Sequence, residues 1–275
     1  MPRLFVTDLD GTLVRTDGSI DPRDLAAIKR AQAAGISVTL ATGRLATGAL
    51  PVARALGLDA PLICADGSIL ACATTGAPLE QQAIDLEIVE ASLRALVGHE
   101  LAPFAFMHDV IHGDAADGAL AVYVRHWTPS LMFHPDLLAG ASWRKRGEVA
   151  MIFGIGPREG VLAAVEALER AFGEKLAIDR FSLHQGGPWA LRAQPRGCSK
   201  GEALARLAAR TEVGPESVAV IGDFWNDLSM FAWAGRSFAM GQAPETVRLA
   251  ATDRLEATAE TGGGVAEALE RWMGD

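Results

Sequence analysis

The strongest constraint on the fold is a rhythm. Short apolar runs, each closed at its C-terminal end by a polar, glycine-containing cluster, alternate with helical patterns. Arg3–Thr7 (RLFVT) leads into Asp8-Leu9-Asp10-Gly11-Thr12, and Ile36–Ala41 (ISVTLA) into Thr42-Gly43-Arg44. Pro61–Ala65 (PLICA) leads into Asp66-Gly67, and Ser217–Ile221 (SVAVI) into Gly222-Asp223-Phe224-Trp225-Asn226-Asp227. Short apolar runs bounded by turn signals read as strands buried on both faces. Between them lie helix signals. Asp21-Pro22 combines a capping side chain with a proline at the first helical position, where no N–H is needed. Leu25, Ile28 and Ala31 then share one face, and Gly35 closes the helix. Ser199-Lys200-Gly201-Glu202 has the form of a capping box before Leu204, Leu207 and Ala208. Strands alternating with helices predict parallel βαβ units, hence an α/β fold built on a doubly wound parallel sheet.

The middle of the chain breaks the rhythm. From about Ile84 to Pro188 it holds a helix (Asp85–Val97), aromatic or alternating runs at Phe104–His108, Ala119–Arg125 and Val149–Ile155, a second helix at Arg158–Phe172, and a strand-like stretch to Leu183. Such grouping predicts an α+β domain with an antiparallel sheet. The chain is therefore read as a core domain, residues 1–83 and 189–275, carrying an inserted domain, residues 84–188.

Composition excludes several function classes. A formal net charge of −9 over 275 residues argues against a general nucleic-acid binder, which needs lysine and arginine to displace counterions from phosphates. Three cysteines, Cys64, Cys72 and Cys198, without a close pair argue against a disulfide framework or structural zinc. His108 and His112 are four apart, but Gly113 and the strand-like run argue against a helical metal pair. The N-terminus meets charged residues within a few positions, and no long uncharged apolar run follows, so neither a leader nor a membrane span is predicted. A cytoplasmic monomer or homodimer is the plain expectation.

In a doubly wound sheet, ligands bind beyond the carboxyl ends of the strands. If the strands are neighbours, Asp8, Asp10 and Asp223 meet there and repel one another. A divalent cation with oxygen ligands removes that repulsion, and magnesium suits a few carboxylates together with waters and a substrate phosphate. Lys200, at a helix N-terminus that already favours anions, and the Thr42 hydroxyl supply donors to phosphate oxygens. Carboxylates, magnesium and donors are the parts phosphoryl transfer needs.

These motifs, DLDGT, ATGR, SKG and GDxxND in that order, resemble those of the haloacid dehalogenase superfamily of phosphatases. The insertion between the second and third resembles the Cof-type branch, whose members carry a large α/β cap over a Rossmann-like core. The resemblance implies that Asp8 attacks phosphorus and that Asp10 protonates the leaving oxygen and then activates water. It implies that Asp8, the backbone carbonyl of Asp10, and Asp223 hold magnesium, with Asn226 and Asp227 in support, and that Thr42, Gly43 and Lys200 bind the phosphoryl group. Arg44 and Asp66 are candidate substrate contacts; Asp66 stands where the family usually has asparagine.

The expected activity is hydrolysis of a small phosphomonoester, a sugar phosphate or similar metabolite, through an aspartyl-phosphate. Mannosyl-3-phosphoglycerate and sucrose phosphate cleavage are more specific forms of it. A phosphotransferase or mutase would use the same rim, and a phosphometabolite sensor would need no nucleophile. Trp225 reads as a packing residue ahead of a site residue, and Arg144-Lys145-Arg146 as a solvated basic loop.

Overall fold

The structure is a computed structural model that describes residues 3–125, 127–140, 144, 148–184 and 186–274. The chain begins β1 (Arg3–Thr7), α1 (Pro22–Ala33), β2 (Ile36–Leu40), α2 (Ala46–Ala55), β3 (Leu62–Cys64), β4 (Ile69–Ala71) and β5 (Pro78–Gln81). It continues α3 (Leu86–Gly98), β6 (Ala102–Phe106), β7 (Ile111–Asp114), β8 (Leu131–His134), β9 (Met151–Gly156), α4 (Arg158–Phe172), β10 (Leu176–Ser182) and β11 (Trp189–Pro195). It closes with α5 (Lys200–Arg210), β12 (Val218–Gly222), α6 (Leu228–Trp233), β13 (Arg236–Ala239), α7 (Glu245–Ala250), β14 (Asp253–Arg254) and α8 (Gly264–Gly274).

Two units divide the chain. The first comprises residues 1–43, 49–79 and 199–275, the second 44–48 and 80–198. Among the described residues, the first unit holds a five-stranded sheet in the order β14-β13-β12-β1-β2, parallel throughout. Side chains alternate across a strand, and here both faces are covered. Leu4 and Val6 share a core with Val218 and Val220 of β12, Leu204 and Leu207 of α5, and Met230 and Phe231 of α6. Phe5, one residue out of phase, meets Trp272 of α8, with ring centroids 6.0 Å apart. Fully burying side chains of this size is worth about 1.5–3 kcal/mol each. That two-sided burial is why β1 and β12 read as nearly continuous apolar runs.

Local signals set the helix starts. The Asp21 carboxylate accepts the Arg23 N–H at 2.8 Å, with Pro22 opening α1. Ser199 accepts the Glu202 N–H at 3.2 Å and donates its hydroxyl to the Glu202 carboxylate at 2.9 Å, which starts α5. The clusters that begin at Asp8, Thr42 and Asp223 lie at the carboxyl edge of the parallel strands β1, β2 and β12, and Asp66-Gly67 follows β3, which pairs antiparallel with β4 in a separate small sheet.

The second unit carries a six-stranded sheet in the order β10-β11-β9-β6-β7-β8, antiparallel except for β7 with β8. Its core joins Val89, Leu93 and Leu96 of α3 to Val161, Val165 and Leu168 of α4 and to Ile152 and Leu191 of the sheet. Three expectations are corrected here. The insertion ends at residue 198 rather than 188, because β11 pairs with both β9 and β10. Residues 119–123, part of a run grouped with the sheet, belong instead to a 3-10 helical stretch, Ala115–Tyr123, capped by the Asp114 carboxylate on the Ala116 N–H at 3.2 Å, and residues 124 and 125 form the turn after it. In the basic cluster, Arg144 is no solvated residue: its Nε lies 2.7 Å from the Glu90 carboxylate and its Nη2 donates to the Leu138 carbonyl at 2.8 Å. Lys145 and Arg146 lie outside the described residues. His112 is buried, with its Nδ1 2.8 Å from Nε2 of His134 on the neighbouring strand.

Candidate active site

The backbone leaves β1 at Asp8, whose N–H still donates to the Ile221 carbonyl of β12 at 2.9 Å. That last ladder bond fixes the Asp8 side chain at the sheet edge, where it is 6 % exposed. The chain then turns at once. Val14 N–H donates to the Leu9 carbonyl at 2.7 Å, Leu9 is buried, and Asp10 is exposed on the rim. Asp8 and Asp10 thus differ sharply in environment although one residue separates them.

Lys200 opens α5 and is buried to 1 % exposure. Its ammonium donates to Asp8 Oδ1 at 2.6 Å and to Asp227 Oδ1 at 2.7 Å. The other oxygen of Asp227, Oδ2, accepts the N–H groups of Asp223 at 2.9 Å and Phe224 at 3.0 Å. Asp227 therefore pins its own loop with one oxygen and Lys200 with the other. This is possible because residue 222 is glycine: a Cβ there would sit 2.4 Å from the Asp227 carboxylate carbon. Asp223 completes the group, accepting from the Thr12 hydroxyl at 3.3 Å and from Gln242 Nε2 at 3.2 Å. Carboxylate oxygens of Asp8, Asp223 and Asp227 lie within 4.8 Å of one another.

Electrostatics follow from this crowding. Burial pushes the Asp8 carboxyl well above the usual carboxylate range; the Lys200 charge pulls it back, while Asp227 and Asp223 push it further up. Asp223 is pushed up to about 6 by burial and by the Asp227 charge. Burial works against the Lys200 ammonium, but Asp227, Asp8 and Asp66 outweigh it and hold its pKa above the ordinary lysine value. One buried cation thus faces several buried carboxylates, an imbalance that a divalent cation would relieve. The donor set is all oxygen, which fits a hard ion such as magnesium. Asp227 is committed to Lys200 and to its loop N–H groups at 2.7, 2.9 and 3.0 Å, whereas Asp223 is held only by the longer bonds from Thr12 and Gln242, so Asp8 and Asp223 are the carboxylates best disposed to hold it.

The remaining sequence candidates take distinct places. Thr42 is buried; its N–H donates to the Ile63 carbonyl at 2.8 Å and its carbonyl accepts the Asp66 N–H at 3.1 Å. Gly43 lies against the Asp66 carboxylate, with its Cβ position 3.2 Å from Oδ2. Asn226 donates its side-chain amide to Asp66 Oδ1 at 2.8 Å. Arg44 falls within the second unit, where its guanidinium donates to the Gly48 carbonyl at 3.2 Å. Trp225 is 51 % exposed and does not pack into the core; its indole N–H donates to the Thr246 hydroxyl at 3.2 Å.

Sequence reasoning overlooked Gln242, whose amide N–H donates both to the Gly11 carbonyl at 2.7 Å and to Asp223. The signal was present: Arg236–Ala239 is one more strand, and Met240-Gly241-Gln242 is one more polar cluster just past a strand end.

Gly11 is the tightest point of the loop. Its φ is +84°, and a Cβ would lie 2.6 Å from Asp223 Oδ2. Gly11→Ala is expected to displace Asp223 and lower kcat roughly 10- to 100-fold, by analogy with lost support around metal ligands, and to cost about 1–2 kcal/mol for the left-handed backbone. Steady-state kinetics with thermal melts check both, and an unchanged kcat would contradict the reading of this contact.

The haloacid dehalogenase-like hydrolase family matches residues 5–269. The HMP-PP phosphatase of Yersinia enterocolitica serotype O:8 is 30% identical over 99% of this chain and 96% of its own length. A haloacid dehalogenase-like hydrolase from Bacteroides thetaiotaomicron superposes with a TM-score of 0.84 at 25% identity, covering 99% of this chain and 100% of that one. A Thermotoga maritima protein superposes with a TM-score of 0.82 at 25% identity, over 98% of this chain and 97% of that one. The chain belongs to the haloacid dehalogenase-like hydrolase family, in its Cof-type branch. Its class of activity is that of a phosphatase, a phosphoric monoester hydrolase. No helix among the described residues is long and apolar enough to cross a membrane.

Proposed function

We propose that the protein is a magnesium-dependent phosphatase that cleaves a small phosphorylated metabolite through an aspartyl-phosphate on Asp8. The observation that carries this reading is the Lys200 ammonium held between Asp8 and Asp227, with Asp223 alongside. Lys200 occupies Asp8 Oδ1 and so presents Oδ2 to phosphorus. Asp8 Oδ2 forms the new P–O bond while the bond to the leaving oxygen breaks, and the Asp10 carboxyl gives that oxygen its proton. Asp10, now a carboxylate, takes a proton from water. The water oxygen attacks phosphorus, the P–O bond to Asp8 breaks, and inorganic phosphate leaves. The exposure of Asp10 suits this role, because it must reach both leaving group and water, whereas the nucleophile is buried and oriented. Thr42, Gly43 and Lys200 are assigned to the transferring phosphoryl oxygens. Magnesium held by Asp8, Asp223 and the Asp10 carbonyl would offset the carboxylates' repulsion and the charge on those oxygens.

Sugar phosphates are the favoured substrates, and the similarity to HMP-PP phosphatases adds HMP-PP to the compounds to be tried. Phosphate release from a panel of both kinds, with magnesium and with chelator, tests the reading. Turnover that survives chelation, or no turnover on any compound, would count against it.

The metal should also leave a pH signature on stability. Asp8 and Asp223 have folded pKa values above their unfolded ones. Their contribution is fully present below the unfolded value near 4 and is lost as pH rises through the folded value, about 6 for Asp223. The metal-free protein should therefore weaken across that window, and magnesium should raise Tm more at about pH 7.5 than at about pH 5, where protons compete for the same oxygens. Melts with and without magnesium at both pH values check this; an equal increment at both would contradict it.

A further inference from the structure

We infer that Asp66 is a positioning residue for the reaction, acting through Asn226. Three consecutive residues in the turn after β3 have positive φ: Ala65 at 49°, Asp66 at 49° and Gly67 at 101°. Glycine adopts this region freely and aspartate tolerates it, but alanine does so at a cost of about 1–2 kcal/mol. Such strain persists only where the surroundings hold it. Here the Asp66 N–H is held by the Thr42 carbonyl at 3.1 Å, and the Gly67 carbonyl accepts from Arg206 Nη2 at 2.8 Å. Gly67 also lies against the start of α5, where a Cβ would meet the Ser199 carbonyl oxygen at 2.1 Å. The strained turn is thus wedged between the Thr42 segment and the Lys200 helix.

Its product is the placement of one carboxylate. Asp66 is 5 % exposed, sits over the bare Cα of Gly43, and accepts the Asn226 amide at 2.8 Å. An ionised carboxylate only accepts hydrogen bonds, so it fixes which branch of the Asn226 amide carries nitrogen and which carries oxygen. A side-chain amide at residue 66 can keep the same bond, since its oxygen also accepts. Asn226 stands three residues from Asp223 and next to Asp227, in the loop that carries both carboxylates, so its bond to Asp66 ties that loop to the turn after β3. The Asp66 charge also helps hold Lys200 as an ammonium. Asp66 therefore does not need to touch the substrate to govern the reaction.

The kinetic arm of the test rests on the phosphatase reading, and the spectroscopic arm does not. With p-nitrophenyl phosphate and magnesium, Asp66→Ala and Asn226→Ala are each expected to lower kcat about tenfold or more, as lost outer partners of metal sites do, with KM little changed. The double variant should be no worse than the poorer single, and Asp66→Asn should recover most of the loss, since its amide oxygen can still accept. A full kcat in Asp66→Ala, or multiplying defects in the double variant, would overturn the proposal. If the wild type hydrolyses no phosphomonoester, the phosphatase reading falls and the Asn226 side-chain amide resonance decides. Its movement to a free-amide position in Asp66→Ala, but not in Asp66→Asn, upholds the pairing, and an unmoved resonance in Asp66→Ala overturns it.

Discussion

Asp8→Asn is expected to remove nearly all turnover, by a factor on the order of 10^4 or more, while making the metal-free protein more stable at neutral pH. The two effects have one cause. As nucleophile, Asp8 must carry a reactive anion, and an amide oxygen cannot form the aspartyl-phosphate. As a buried group, however, the anion is unwelcome. Burial together with Asp227 and Asp223 pushes its pKa up by more than the Lys200 charge pulls it down, so the ionised form opposes folding. Asparagine keeps the shape and drops the charge. Lys200 loses one partner but keeps Asp227 at 2.7 Å. The net sign is therefore stabilising for the metal-free protein, and the gain in Tm from magnesium should shrink. Single-turnover kinetics and melts with and without magnesium measure both parts. Retained turnover would remove Asp8 as nucleophile; a lower metal-free Tm would show that the Lys200 attraction outweighs burial and repulsion.

Much of this site was legible because each polar cluster directly follows an apolar run. In a parallel sheet buried on both faces, β1, β2 and β12 cannot alternate, so their ends stand out where Asp8, Thr42 and Asp223 begin. Pairing across the chain was not legible. Lys200 and Asp8 are 192 residues apart, and only the strand order β12-β1-β2 brings α5 to the Asp8 edge. The resemblance marks Asp227 as a supporting residue and no more. Its two-sided role depends on the missing Cβ of Gly222 and on where Lys200 arrives. Asp66-Gly67 signalled a turn, but not that alanine and aspartate would both be held at positive φ. The second unit was read less well for a simpler reason. An isolated strand of an antiparallel sheet shows only its own alternation, so β11 could not be assigned without its partners β9 and β10. Ala119–Arg125 alternates by chance among alanines, and its first five residues continue the 3-10 stretch that Asp114 caps.

The second large effect concerns Lys200. Lys200→Met is nearly the same length and apolar, so packing changes little, yet it leaves Asp8 and Asp227 buried with no ammonium between them. Removing one partner of a buried ion pair costs about 3–5 kcal/mol, because the surviving charge has neither water nor counter-ion. The cost must depend on pH. Without Lys200, Asp8 is driven still further above its unfolded pKa, so its ionisation opposes folding more as pH rises. The deficit should be smaller near pH 4, where Asp8 is protonated, and grow toward neutrality. Turnover should fall by a factor on the order of 10^2–10^3, the usual consequence of losing one preorganised donor to the reacting oxygens. Adding Asp8→Asn to Lys200→Met should restore part of the lost stability without restoring activity, since it removes one of the two orphaned charges along with the nucleophile. Urea unfolding of the two variants across pH separates these effects. A Lys200→Met protein equally destabilised at every pH would show that the lysine supports the fold by packing alone, and the electrostatic account of the cluster would fall with it.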